Sequence, residues 1–204
     1  MHLKKESTPQ DLIFSNRALR LLIIPLMIEQ FLAITIGMAD SMMVSNVGEA
    51  AISGVNLVDS INNFLISMFS ALATGGTVVV SQYLGHKERE NAVGAAKQLL
   101  LSVTALSLFI MCLTLVGNRT ILGWIYQSVE ESVMENACVY FFLSALSYPF
   151  LAIYNSGAAL FRAQGNSKVS MYTAMVVNIV NICLNALLIY VFQLGVAGAG
   201  IATL

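Results

Sequence analysis

Residues 21–45 read LLIIPLMIEQFLAITIGMADSMMVS, a run in which only Glu29 and Asp40 carry charge. Roughly 20 predominantly apolar residues suffice for a helix to cross the hydrocarbon core of a bilayer, so this run is long enough to span. Its two carboxylates then need an explanation, because an ionised acid at membrane depth costs several kcal/mol unless it is paired, protonated or wetted.

The same pattern recurs outward along the chain. Between Asp59 and Lys87 there is no formal charge except a protonatable His86, and Gln98–Val116, Ala137–Phe161 and Val169–Leu204 contain none. Over all 204 residues, 57% are hydrophobic and 10% are charged, with a mean hydropathy of +0.78, against about 25% charged residues in an ordinary soluble domain. The expected class is therefore an all-α integral membrane helix bundle, with spans at about 21–47, 57–84, 98–116, 137–161 and 169–194. The last uncharged stretch is too long for one crossing, and Gly195, Gly198 and Gly200 interrupt it. Glycine clusters punctuate helices, which places a tight turn near Gly195 and the start of a sixth span at about residue 197. As a transmembrane lobe over residues 1–204, the chain is expected to hold five full spans and the beginning of a sixth.

Charge placement gives the orientation. Lys4, Lys5, Arg17 and Arg20 precede the first span, Lys87, Arg89 and Lys97 lie around the second loop, and Arg162 and Lys168 lie in the fourth. Arg119 alone falls on the opposite side. Basic residues are retained on the cytoplasmic face, so the N-terminal segment 1–20 is expected inside. Within it, STPQDL (7–12) reads as a helix start, with Thr8 as N-cap, Pro9 at the first helical position and Asp11 in the first turn, and a short amphipathic helix is expected at the inner surface. The basic, then apolar N-terminus is too long in its apolar part for a signal peptide. On the outer side Trp124 and Tyr126 sit where interface anchors belong, and the segment from Gln127 to Asn136 reads as a second amphipathic piece. Cys112, Cys138 and Cys183 are widely separated, with no metal-type or disulfide spacing, and read as small core residues.

Several function classes are excluded. A net charge of −1 and the lack of basic patches interleaved with aromatics give no support for nucleic-acid binding. There is no Ser/His/Asp constellation and no P-loop, so neither an enzyme nor an ATP-driven pump is expected, and no cofactor.

What remains is the polar content of the spans. Asp40 lies about 30 Å along the first helix from its inner end, where it either faces a cavity on an ion or substrate path or stays solvated near the outer boundary. Glu29 precedes it by eleven residues, about three turns with a residual rotation of roughly 20°. Both acids therefore share a face, although Glu29 could instead snorkel to the inner boundary. Pro25 is a potential kink. In the fifth span Asn178, Asn181 and Asn185 follow i, i+3, i+7 and mark one helix face, suited to interhelical hydrogen bonds or to cation coordination through oxygen. Asp59, Asn62 and Asn63 read as an interfacial helix start. Met38, Met42 and Met43 flank Asp40, and flexible thioethers suit varied apolar ligands as well as plain core filling.

The segments PLMIEQ (25–30), GMADSMMVSNVGEAAISGVNLVDS (37–60), SQYLGHKERENA (81–92), ALFRAQGNSK (159–168) and NICLNALLIYVFQLGVAGAGIAT (181–203), in this order over nearly the whole chain, resemble the multidrug and toxic compound extrusion (MATE) family. The resemblance implies the N-terminal six-helix lobe of a twelve-helix transporter, ending within its sixth helix. It implies secondary active efflux of small organic, cationic drugs across the plasma membrane in exchange for protons or sodium, with membrane lipid and a C-terminal lobe as partners. By the same resemblance Asp40 matches the coupling-cation carboxylate, and Asn181 and Thr203 match residues lining its site, where sodium is a possible occupant. Asn185 departs from the pattern, since many relatives carry a second aspartate there; it is expected to add an amide ligand instead. Glu29, Asn178 and Met38 are candidates for lining the cavity. Two other readings are a lipid-linked saccharide flippase of the same superfamily, and a non-transporting half-lobe that assembles with or regulates another membrane protein.

Overall fold

The computed structural model describes residues 16–204, which form helices joined by short turns, with no β-strand among the described residues. The expected N-terminal cap at Thr8, Pro9 and Asp11 lies outside them. Helix α1 covers Asn16–Ser45, α2 Glu49–Gly85, α3 Arg89–Ile125, α4 Glu131–Ala163, α5 Ser167–Ala186 and α6 Gly195–Thr203. Helix α5 continues into a wider π turn, Leu187–Val191, closed by the Phe192 amide donating to the Leu187 carbonyl at 3.1 Å. Five of these helices are long and apolar enough to cross a membrane.

The helices run past the uncharged cores. Helix α2 begins at Glu49, α3 begins at Arg89 and ends at Ile125, and α4 begins at Glu131. Intrahelical hydrogen bonds satisfy the backbone on both sides of the hydrocarbon boundary, so a helix has no reason to stop where charged side chains begin. For the same reason the segment 127–136 is not a separate amphipathic element: from Glu131 onward it forms the first turns of α4.

Helix α4 is the hub. It packs most extensively on α2 and α3 and also holds α6, while α1 lies chiefly against α5. Ala137, Phe141, Ala145, Tyr148 and Ala152 of α4 are buried against Val55, Val58 and Phe69 of α2. Small residues set the close approach: a Cβ on Gly54 would lie 2.8 Å from the Ala137 amide nitrogen. Gly54→Val is therefore expected to push α2 from α4 and destabilise the bundle by about 1–3 kcal/mol, seen as a lower melting temperature of detergent-purified protein. An unchanged melting temperature would refute this account of the α2–α4 contact.

Two of the three cysteines are not core residues, whereas Cys138 packs against the core. Cys112 and Cys183 are exposed and Cys138 is partly so, because a membrane helix presents apolar groups outward as well as inward. Trp124 is exposed, as an interface anchor should be, whereas Tyr126 turns inward and donates its hydroxyl proton to the Leu57 carbonyl at 2.9 Å. Arg119 sits beside Glu131 in an exposed ion pair linking α3 to the start of α4.

Candidate functional site

Asp40 of α1, Asn181 and Asn185 of α5 and Thr203 of α6 come together although as many as 163 positions separate them in sequence. The Asn185 amide nitrogen donates to Asp40 Oδ1 at 2.6 Å and to Asn181 Oδ1 at 2.9 Å. Asn181 in turn donates to the Ala202 carbonyl at 3.1 Å, which fastens α5 to α6. The Thr203 hydroxyl is turned back to the Ala199 carbonyl at 3.0 Å. Asn185 is wholly buried, and its Oδ1 has no hydrogen-bond partner. The π turn starts two residues later; such wide turns occur frequently at functional sites.

Asp40, Asn181 and Thr203 border a cavity of about 670 Å³, which Glu29 and Asn178 also line. Met38 does not; it borders a neighbouring groove between α1 and α2. The shared face inferred for Glu29 and Asp40 thus opens on one space.

Glu29 is no free acid, however. Arg162 Nη1 donates to its Oε1 at 2.8 Å and Ser170 Oγ to its Oε2 at 2.9 Å, so one carboxylate joins α1 to the end of α4 and the start of α5. The pair is mostly buried.

Asp59, Asn62 and Asn63 line the same cavity and do not start the helix. Helix α2 begins ten residues earlier, at Glu49, which carries Asp59 about 15 Å into the helix. Two buried tyrosines of α4 hold this wall: Tyr140 donates to Asp59 Oδ1 at 3.1 Å and Tyr148 to Asn62 Oδ1 at 2.9 Å. The stripe was readable in outline. Asp59, Asn63, Ser67 and Ser70 fall at i, i+4, i+8, i+11, a single helix face, and all four line the cavity. The tyrosines gave no comparable signal, since an apolar span accepts aromatic rings for packing alone.

Chemically, the cavity offers two carboxylates, Asp40 and Asp59, that lack an ion-pair partner among the described residues, surrounded by amides and hydroxyls. It has no group of three or more His, Cys, Asp or Glu arranged for a metal ion among those residues. Such a site suits reversible uptake of a monovalent cation.

Comparison with known proteins identifies the family and the fold. The MatE family model matches residues 25–187. The uncharacterized transporter YisQ of Bacillus subtilis is 30% identical over 184 residues, covering 88% of this chain and 40% of that protein. A probable multidrug resistance protein NorM of Streptococcus pneumoniae is 26% identical over 183 residues, again 88% of this chain and 40% of the relative. An outward-facing structure of a multidrug resistance MATE family transporter of the MOP superfamily superposes with a TM-score of 0.85 at 23% identity, covering 92% of this chain and 41% of that one. The chain thus spans about two fifths of the length of these relatives, corresponding roughly to their N-terminal half. A buried polar site inside a membrane-spanning bundle and a family match over most of the sequence lead to one conclusion: this chain belongs to the MATE family of transporters.

Proposed function

We propose that this chain forms the N-terminal lobe of a plasma-membrane exporter of small organic cations, driven by inward flow of a coupling cation that binds Asp40. In this reading the N-terminus is cytoplasmic and a C-terminal lobe completes the substrate path. The observation that carries it is the Asp40–Asn185–Asn181 chain at the cavity wall.

That chain favours the proton as coupling ion. Asn185 donates both amide protons to oxygens that a sodium ion would need, and as an amide it brings no second negative charge. An amide of this kind answers protonation well: when Asp40 gains a proton it becomes a donor, and the unpartnered Asn185 Oδ1 supplies the acceptor if the amide turns over. The turn exchanges the hydrogen bonds between α1 and α5. A change of bonding that differs between two lobe conformations is what biases alternating access.

The uncompensated charges in the cavity are acidic, which favours a cationic cargo over a pyrophosphate-linked saccharide. The native protein, reconstituted in liposomes, is expected to export a cationic dye when a pH gradient is imposed and to ignore a sodium gradient of equal size. Sodium-driven export would overturn the proton assignment, and export that neither gradient affects would overturn the antiport reading.

A further inference from the structure

Asp59 borders two spaces. One is the cavity of Asp40; the other is a groove of about 700 Å³ between α1 and α2, and Gly37 and Asn63 border both as well. The groove has unlike walls. Helix α1 offers Ile34, Met38 and Met42, all largely exposed, with Ser41 as its one polar side chain, while α2 offers Asn56, Asp59, Ser60 and Asn63. A Cβ added at Gly37 would meet no atom within 4 Å, so the backbone there leaves room for a flat ring.

Drug-sized ligands occupy sites of about 300–1,000 Å³, and unbranched thioether chains repack around apolar bodies of differing shape. Asp59 supplies the opposite character: a carboxylate with one oxygen fixed by the buried Tyr140 hydroxyl and with no ion-pair partner among the described residues. A largely apolar wall facing a single oriented negative charge is complementary to an amphipathic monovalent cation.

We infer that this groove holds the apolar body of the organic cation against Met38 and Met42, with Asp59 as its counter-charge, leaving Asp40 to the coupling ion. The inference rests on the drug-export reading and adds a division of labour: one carboxylate for cargo and another for drive.

The test is equilibrium binding to the native protein in nanodiscs, without any ion gradient, of tetraphenylphosphonium and of its uncharged relative triphenylphosphine oxide. Asp59→Asn should weaken tetraphenylphosphonium about tenfold, the scale of one lost charge contact, and leave the neutral probe unchanged. Asp59→Glu, which keeps the charge, should restore cation binding, so a loss through misfolding is recognisable. Gly37→Leu, which fills the groove, should weaken both probes. Asp40→Asn should lower gradient-driven efflux in proteoliposomes while tetraphenylphosphonium still binds. If Asp59→Asn binds the cation as the wild type does, or loses both probes equally, or if the wild type binds neither probe, the inference fails. Persistent coupled efflux in Asp40→Asn would instead refute the coupling role of Asp40, without touching the charge-selective result at Asp59.

Discussion

Replacing Asp40 by Asn is expected to reduce gradient-driven drug efflux roughly 5- to 150-fold, the range corresponding to typical coupling free energies of about 1–3 kcal/mol. The substitution keeps size and shape but removes the ionisable group. Asn185 loses a charged acceptor at 2.6 Å and gains a neutral amide that satisfies it with no change on proton uptake. The α1–α5 contact then has one hydrogen-bonding state where the aspartate has two. Efflux of a cationic dye from proteoliposomes, with the pH gradient varied, checks the point. Wild-type rates with unaltered gradient dependence in Asp40→Asn would remove Asp40 from the coupling mechanism.

The second large effect concerns stability. Arg162→Met should destabilise the protein by about 1–3 kcal/mol, less than the roughly 3–5 kcal/mol of a fully buried pair because both side chains keep some exposure. Glu29 would retain only the Ser170 hydrogen bond at 2.9 Å in a largely buried setting. Replacing both partners, Glu29→Gln with Arg162→Met, removes the stranded charge and should recover most of the loss. A double-mutant cycle on thermal unfolding of the purified protein measures the coupling directly. Additive single effects would show that the pair does not act as a unit. Because Glu29 lines the cavity of Asp40, the single variant should also disturb transport, whereas the double variant should disturb it less.

How far the sequence reached differs from residue to residue. Asp40 was legible because a lone acid in an apolar run has few explanations, and Asn181 and Asn185 were legible because a spacing of four residues places them on one face of α5. Glu29 was legible as a residue on the cavity face but not as a paired one. Its partner Arg162 lies 133 positions away at the end of α4 and in sequence looks like an ordinary cytoplasmic loop charge. Asp59 was not legible as a cavity residue because charged residues were read as marking the start of the span, whereas α2 begins at Glu49 and carries Asp59 along the cavity wall. Cys112 and Cys183 were misplaced by a rule taken from water-soluble proteins, in which apolar side chains go inside; in a membrane bundle both surfaces are apolar.

The sequence by itself determined that the chain is helical and membrane-spanning, where its apolar cores lie, and that the polar residues of α1 and of α5 each share one helix face. Hydropathy and helical periodicity are local properties, set by residues within a turn or two of each other. Only the tertiary structure decided which polar faces meet: that Asn185 bonds Asp40, that Arg162 neutralises Glu29, and that Tyr140 orients Asp59 toward both the cavity and the groove. Those pairings depend on which helices pack together and at what depth. Close approach at small residues such as Gly54 and the pairing of buried polar groups fix that packing, and neither leaves a periodic trace along a single helix.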